Sequence, residues 1–161
     1  MQTVLDFVAS VPGLRFDLLA KLLLAAVLGA AVGWEREQAG KPAGLRTNIL
    51  ICLGATLLTD VGMALSADRG DPARMSAQIV SGIGFLGAGT IIQSRGKVSG
   101  LTTAATLWVV AAVGIALGTG QYGAAVLTTL VVLLVLYPLR RLAEKAEGGQ
   151  EADGAGEASA D

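Results

Sequence analysis

The sequence contains no histidine, a single cysteine and only 4% aromatic residues. Zinc and transition-metal sites usually draw on several cysteine or histidine ligands, and a cysteine nucleophile usually needs a histidine base. These absences exclude most metal sites and most nucleophilic catalysis, so we expect a protein that is not an enzyme and holds no metal or cofactor. An intrachain disulfide is impossible because Cys52 has no partner in the sequence.

Charged residues are also scarce, at 16% of the 161 residues, and they nearly balance to a net charge of −1. A nucleic-acid partner requires a basic surface, so we expect no nucleic acid to bind. Hydrophobic residues make up 53% of the sequence, and 22 residues are glycine. This composition is typical of a chain whose main solvent is the lipid bilayer.

Five stretches are long and apolar enough to form a helix across about 30 Å of hydrocarbon. They cover approximately residues 17–34, 47–65, 77–93, 101–118 and 122–139. None alternates with a period of two, which disfavours a β-barrel. No basic region or cleavage site precedes the first stretch, so we expect it to be a retained anchor. The sequence therefore predicts an all-α membrane protein with five transmembrane helices.

Lysine and arginine lie mainly on one side of these spans, as they do in cytoplasmic loops. If the N-terminus lies outside, eight of them are cytoplasmic, three are outside and Lys21 lies within a span. The eight are Arg36, Lys41, Arg46, Arg95, Lys97, Arg140, Arg141 and Lys145. We therefore expect the N-terminus out and the C-terminus in. An extracytoplasmic segment (1–16), a membrane domain (17–141) and a disordered acidic cytoplasmic tail (142–161) complete the predicted organisation.

The most charged segment between two spans is WEREQAGKPAGLRTN, residues 34–48. Gly40, Pro42 and Gly44 interrupt helical continuity, and the basic residues belong on the positive side of the membrane. We interpret this segment as a cytoplasmic hairpin. A charged site assembled from both cytoplasmic hairpins explains its composition, and so does a solvated loop with local Glu–Arg pairing.

Two ionisable residues, Lys21 and Asp60, interrupt the apolar spans, and burial of either one alone is costly. Lys21 lies roughly 6 Å and Asp60 roughly 8 Å from the outer end of its span, at 1.5 Å per residue. Because these depths match, we expect the two side chains to approach one another, or Asp60 to line a water-accessible cavity. The alternatives are that Lys21 extends to the outer headgroups and that Asp60 makes a structural hydrogen bond.

Polar residues recur every four positions along the second span, which places them on one side of a helix. They are Asn48, Cys52, Thr56 and Asp60. We expect this polar stripe to face protein. Residues of spans three and four that could complete a polar interior are Ser81, Thr90, Gln93, Thr102, Thr103 and Thr106. Threonine hydroxyls in membrane helices often bond to their own backbone, which is the alternative interpretation.

Small residues spaced four apart let helix backbones approach closely in a membrane. We single out three such pairs: Gly29 with Gly33, Gly84 with Ala88, and Gly114 with Gly118. We expect each pair to mark a helix contact, either within one chain or between the chains of a homo-oligomer. The glycines of span three are also compatible with a broken helix of the kind that lines transporter binding sites.

Several stretches, taken together, resemble the MgtC/SapB family of bacterial inner-membrane proteins. They are GWEREQAGKPAGLRTNILICLGATLL from Gly33, SGIGFLGAGTIIQ from Ser81 and GKVSGLTTAATLWVVAAVGIALG from Gly96. Their combination is specific, and the resemblance covers about residues 18–139. Many longer members of the family continue into a cytoplasmic domain similar to a small ligand-binding fold. This sequence ends at Asp161 with a polar tail, so a function that needs that domain is not implied.

The resemblance implies an all-helical inner-membrane domain with a role in adaptation to low magnesium, in growth inside host cells and in acid stress. It implies modulation of other membrane machinery, including the proton-translocating ATP synthase, more than it implies transport. The functional positions that it implies are Glu35, Arg36, Arg46, Thr47, Asn48, Gly87, Gly89, Thr90, Gly100, Thr102 and Thr103.

Two hypotheses of function follow, with a third and weaker one. The first is a non-enzymatic membrane protein that regulates a partner complex or ion homeostasis through helix contacts and charged cytoplasmic hairpins. The second is a small transporter of Mg²⁺ or H⁺ that uses Asp60 and the polar stripe. The third is a purely structural membrane protein.

Overall fold

The computed structural model describes residues 15–66, 70–71, 73–94 and 97–137. Within these ranges the chain forms five helices and one short hairpin. In order they are α1 (Phe16–Gln38), α2 (Leu45–Leu65), α3 (Ala73–Thr90), β1 (Ile92–Ser94), β2 (Lys97–Ser99), α4 (Leu101–Gly118) and α5 (Tyr122–Tyr137). Three of them, α1, α2 and α4, are long and apolar enough to cross a membrane. The prediction of an all-α protein with apolar helices is confirmed, and the number of spans and their orientation stay predictions.

Two helix boundaries differ from the predicted spans. The segment 34–48 is not one loop, because α1 continues to Gln38 and α2 begins at Leu45, so only six residues form the turn. Trp34 to Gln38 contain no helix breaker, and the first glycine that ends the helix is Gly40, with a φ of 63°. The third span is shifted: α3 ends at Thr90, and Ile92 to Ser94 form a strand instead.

The glycines of α3 do not break it, since the helix is continuous from Ala73 to Thr90. The antiparallel strands β1 and β2 follow it, with Gln93 opposite Val98. The sequence analysis missed this hairpin, because two strands of three residues carry too short a pattern to detect. Residues 1–14 and 138–161, which include most of the predicted N-terminal segment and all of the predicted tail, lie outside the described residues.

The central helix is α2, which packs against α1 on one side and α4 on another, while α3 packs mainly on α4. Helix α5 contributes Ala125 and Leu136 to the apolar core shared with α1 and α4. Two of the predicted glycine pairs make the close contacts of α2. A Cβ at Gly29 would lie 2.8 Å from the carbonyl oxygen of Asn48, and one at Gly114 would lie 2.6 Å from that of Cys52. These contacts lie within one chain.

The third predicted pair makes no such contact within the described chain. Gly84 has no neighbouring atom within 4 Å of a built Cβ, and Gly84 and Ala88 are both exposed. A neighbouring face of α3 packs on α4, and there Gly87 lies opposite Ala104. The spacing alone could not distinguish these faces, because glycine and alanine occur all around α3.

Gly100 fixes the angle at which the hairpin joins α4. Its φ is 90°, in the left-handed region that favours glycine. A Cβ at this position would lie only 1.9 Å from the carbonyl oxygen of Thr90. The residue is therefore required both for its backbone conformation and for the close approach of α3 to the start of α4.

We predict that Gly114→Ala destabilises the fold by about 1–3 kcal/mol, because the new methyl group must push apart two backbones that are already in contact. Gly54→Ala is the matched control, since Gly54 lies within α2 and has open space where its Cβ would be. The control should be neutral or stabilising by up to about 1 kcal/mol, as alanine favours helix. Unfolding of both variants in mixed micelles measures this, and equal stability would contradict the assigned α2–α4 contact.

Candidate functional site

An ionic cluster joins three helices at the end of the bundle where α1 begins. Asp60 on α2 accepts a hydrogen bond from Lys21 Nζ at 2.7 Å through Oδ1 and one from Arg15 Nη1 at 2.7 Å through Oδ2. Lys21 Nζ also donates to the carbonyl oxygen of Gly118 on α4, at 3.1 Å. The Asp60 side chain is 3% exposed and that of Lys21 is 12% exposed. We call these residues, with Arg15 and Asp17, the Asp60 cluster.

The salt bridge between Lys21 and Asp60 confirms the contact predicted from their matching depths. The alternative, in which Lys21 extends to the outer headgroups, is not observed. Both acceptors of its ammonium group, Asp60 and the Gly118 carbonyl, belong to the bundle. The part that Arg15 plays was not predicted, because Arg15 lies in the predicted extracytoplasmic segment 1–16. A usable signal was present, because Arg15 lies only six residues before Lys21, about 9 Å along a helix axis.

The polar stripe of α2 is buried along its whole length. Asn48, Cys52 and Thr56 are each 0% exposed. The Thr56 hydroxyl donates within its own helix to the Cys52 carbonyl at 2.8 Å, and it also lies 3.1 Å from the Gly114 carbonyl of α4. The stripe faces protein, as predicted, and its central part is a packed helix contact.

Two oxygen atoms on this side of α2 are buried and have no hydrogen-bond partner, Asn48 Oδ1 and Thr59 Oγ1. The amide nitrogen of Asn48 donates to the carbonyls of Ala43 and Gly44, at 2.8 and 2.9 Å. Asn48 therefore ties the α1–α2 turn to the start of α2. Because its amide group stabilises the turn, Asn48 has a structural role at this position of the motif.

Helix α3 and the strand after it do not complete a polar interior, which was one of the two interpretations of their polar residues. Ser81 and Gln93 are exposed, and the Thr90 hydroxyl donates to the Gly87 carbonyl of its own helix at 2.8 Å. Helix α4 contributes two buried threonines, Thr103 and Thr106. At Thr90 the structure therefore shows the alternative interpretation, a bond to its own helix, and the buried face of α3 consists of Ile79, Ile83 and Gly87.

A second cluster lies at the opposite end of the bundle, which we call the turn end because it carries the α1–α2 turn and the β-hairpin. Glu35 and Arg36 form an ion pair there. Their side chains are 8% and 4% exposed, so this pair is inside the bundle and not on a solvated loop. Glu35 Oε1 has no hydrogen-bond partner, since both contacts of Arg36 reach Oε2.

The structure divides the remaining motif positions between surface and interior. Arg46, Thr47, Gly89 and Thr102 are exposed, whereas Gly87 and Thr103 are buried. Glu37, which the sequence analysis did not single out, accepts a hydrogen bond from the backbone N–H of Leu45 at 2.8 Å. It satisfies one of the free N–H groups at the start of α2, where no side chain provides an N-cap.

Two grooves lie beside α2. A groove of about 310 Å³ at the turn end is lined by Glu37, Lys41, Pro42, Gly44, Leu45, Arg46 and Thr47. A groove of about 530 Å³ separates α2 from α3 and is almost wholly apolar, apart from Thr47 and Gln78. Among the described residues, no group of three or more acidic or cysteine side chains could hold a metal ion.

A bundle of apolar helices with buried ion pairs at both ends defines a helical membrane protein. A family model described as MgtC family matches residues 22–145. The chain therefore belongs to the MgtC family, and the resemblance noted from its motifs is confirmed.

Three relatives illustrate how far the similarity extends. Protein MgtC of Salmonella typhimurium is 45% identical over 132 residues, covering 82% of this chain and 56% of the relative. The putative magnesium transporter YhiD of Escherichia coli is 43% identical over 133 residues, covering 78% and 62%. An uncharacterized protein of Synechocystis is 47% identical over 124 residues, covering 77% and 53%. The chain thus spans little more than half the length of these relatives. No solved structure matches it significantly.

We predict that Asp60→Leu destabilises the fold by at least about 2 kcal/mol, because it leaves the Lys21 ammonium buried without a counter-charge. Lys21→Met should cost less, since Arg15 still neutralises Asp60. The double variant should be more stable than the sum of the single effects predicts. Asp17→Asn, on an exposed side chain of the same cluster, is the control. Additive effects of the two single changes, measured by unfolding in mixed micelles, would contradict the assigned pair.

Proposed function

We propose that this protein is a non-enzymatic, multi-pass protein of the bacterial inner membrane that modulates a membrane partner or ion homeostasis. The family resemblance associates that role with adaptation to low magnesium and with acid stress. The connection to Mg²⁺ is supported by the name of the Escherichia coli relative, a putative magnesium transporter. The proton-translocating ATP synthase is the partner that the resemblance implies.

The observation that carries the proposal is the packing of the polar stripe. A transported cation needs a continuous path with exchangeable oxygen ligands. At Cys52 and Thr56 the stripe is 0% exposed, and the backbones of α2 and α4 are in direct contact there. At its end, Asp60 already binds two cationic side chains. This arrangement supports a role that needs no ion to pass along α2.

Two basic side chains that can reach a partner lie on the surface of the turn end. Lys41 and Arg46 are exposed and line the same groove. Glu35 and Arg36 are buried and neutralise each other, so they cannot bind a second protein without leaving the bundle. We therefore assign partner contact to Lys41 and Arg46, and the support of the turn to Glu35, Arg36 and Asn48.

Transport of Mg²⁺ or H⁺ is the second candidate function, and one observation favours it. Asn48 Oδ1 and Thr59 Oγ1 are unpartnered oxygen atoms on the same side of α2 as Asp60. Oxygen atoms of this kind are the ligands that hard cations prefer. Transport along the stripe requires α2 and α4 to separate near Thr56, which would break its hydrogen bond to Gly114.

We expect no Mg²⁺ uptake when the purified protein is reconstituted into liposomes that enclose a magnesium-sensitive dye. The physical reason is the closed contact between α2 and α4. Saturable uptake by the wild-type protein that Asp60→Asn abolishes, and that Asp71→Asn at an exposed residue outside the cluster leaves intact, would instead establish transport through Asp60. Both variants need the same unfolding profile as the wild type for this comparison.

We expect the double change Lys41→Gln and Arg46→Gln to lower the co-purification of ATP synthase from native membranes about fivefold. The physical reason is the loss of the two proposed ion pairs with the partner, each exposed and of modest strength. Arg74→Gln is the matched control, because Arg74 is an exposed basic residue at the other end of the bundle. Quantitative mass spectrometry of membranes from magnesium-limited and magnesium-replete cells provides the measurement. Equal capture by both variants would remove the turn end from the proposed interface.

A further inference from the structure

Arg15 is the exposed cation of the Asp60 cluster. Its side chain is 46% exposed, whereas Asp60 is 3% exposed and Lys21 is 12% exposed. Arg15 lies immediately before α1, at the point where the chain enters the bundle. The cluster therefore has a buried half, formed by Lys21 and Asp60, and an outer half, formed by Arg15 and Asp17.

The two oxygen atoms of Asp60 depend on Arg15 to different degrees. Oδ1 accepts from Lys21 at 2.7 Å and from Arg15 at 3.3 Å, so it keeps a strong partner without Arg15. Among the contacts of the described residues, Oδ2 accepts only from Arg15, at 2.7 Å. Departure of Arg15 would therefore free one carboxylate oxygen on the side of Asp60 that faces the end of the bundle.

Arg15 also binds a second carboxylate, that of Asp17, which can keep its guanidinium paired when the contact with Asp60 breaks. Its Nη2 donates to Asp17 at 2.6 Å and its Nε lies 3.3 Å from the same side chain. Asp17 is 54% exposed. Lys21 has no comparable freedom, because its ammonium group is buried between Asp60 and the Gly118 carbonyl. The exposed guanidinium is thus the mobile cation of the cluster, and the buried ammonium is the fixed one.

We propose that Arg15 is a lid on Asp60. In the closed position it bridges Asp17 and Asp60 and seals Oδ2 from water. In the open position it stays on Asp17, and Asp60 Oδ2 becomes accessible to protons and inorganic cations from the aqueous side, while Lys21 keeps the carboxylate attached to α1. This device controls access to the one carboxylate in the described part of α2, and it operates whether or not the protein transports ions.

The test measures chemical access to Asp60 in the full-length protein held in lipid nanodiscs. A water-soluble carbodiimide with a small amine converts accessible carboxyl groups to amides, and peptide mass spectrometry quantifies Asp60 and Asp17 separately. We expect Arg15→Gln to raise the modification of Asp60 about tenfold, since it removes the only donor to Oδ2 among the described residues and a screened ion pair. Arg74→Gln, which removes an equal charge without touching the cluster, should leave Asp60 as in the wild type.

A second measurement covers the case in which Arg15→Gln does not fold. Ion pairs of an exposed guanidinium weaken as salt rises, so modification of Asp60 in the wild-type protein should increase severalfold between about 0.05 and 1 M NaCl. Asp60 that stays unmodified in the folded variant overturns the proposal. The same holds for unchanged modification of the wild type at high salt when the variant does not fold. In either case packing alone, and not Arg15, seals the carboxylate.

Discussion

The fold depends on the close approach of α2 to two other helices at glycines. Gly29 and Gly33 bring α1 onto one side of α2, and Gly114 and Gly118 bring α4 onto the adjacent side. In a bilayer, apolar side chains gain little by leaving lipid, so backbone packing and polar contacts decide which helices associate. A helix held this closely on two sides must place its polar residues in those contacts. The burial of the α2 stripe is therefore a consequence of the glycines.

The same constraint explains why both ends of the bundle carry paired charges. Asp60 is buried between α1 and α4, and it is stable there because Lys21 and Arg15 neutralise it. At the turn end, Arg36 plays the same part for Glu35. Each cluster lies near one end of α1. The charge pairs therefore contribute to the packing of α1 against its neighbours.

Much of this arrangement could be predicted from the sequence, because the lipid bilayer determines the length of an apolar span and the depth at which a polar residue lies within it. The span at 101–118 coincides with α4, and equal depth alone paired Lys21 with Asp60. The features that could not be predicted depend on whether a given face of a helix packs against another helix or is exposed. Glu35 and Arg36 adjoin a turn rich in glycine and proline, so their pattern indicates a loop, yet α1 extends past them and buries both. No local sequence pattern distinguishes a charged residue that forms an ion pair within the bundle from one that is exposed to water.

The distribution of charge between interior and surface bears on how the protein acts. Within the described residues, the Asp60 cluster contains two acidic and two basic side chains, and the turn-end cluster contains one of each. A cation that passed along α2 would have to displace a tethered cation and leave that group buried without a partner, which is costly in lipid. A partner that binds Lys41 and Arg46 meets charges that are already solvated. Regulation through the turn end thus requires less disruption of the bundle than transport through its interior.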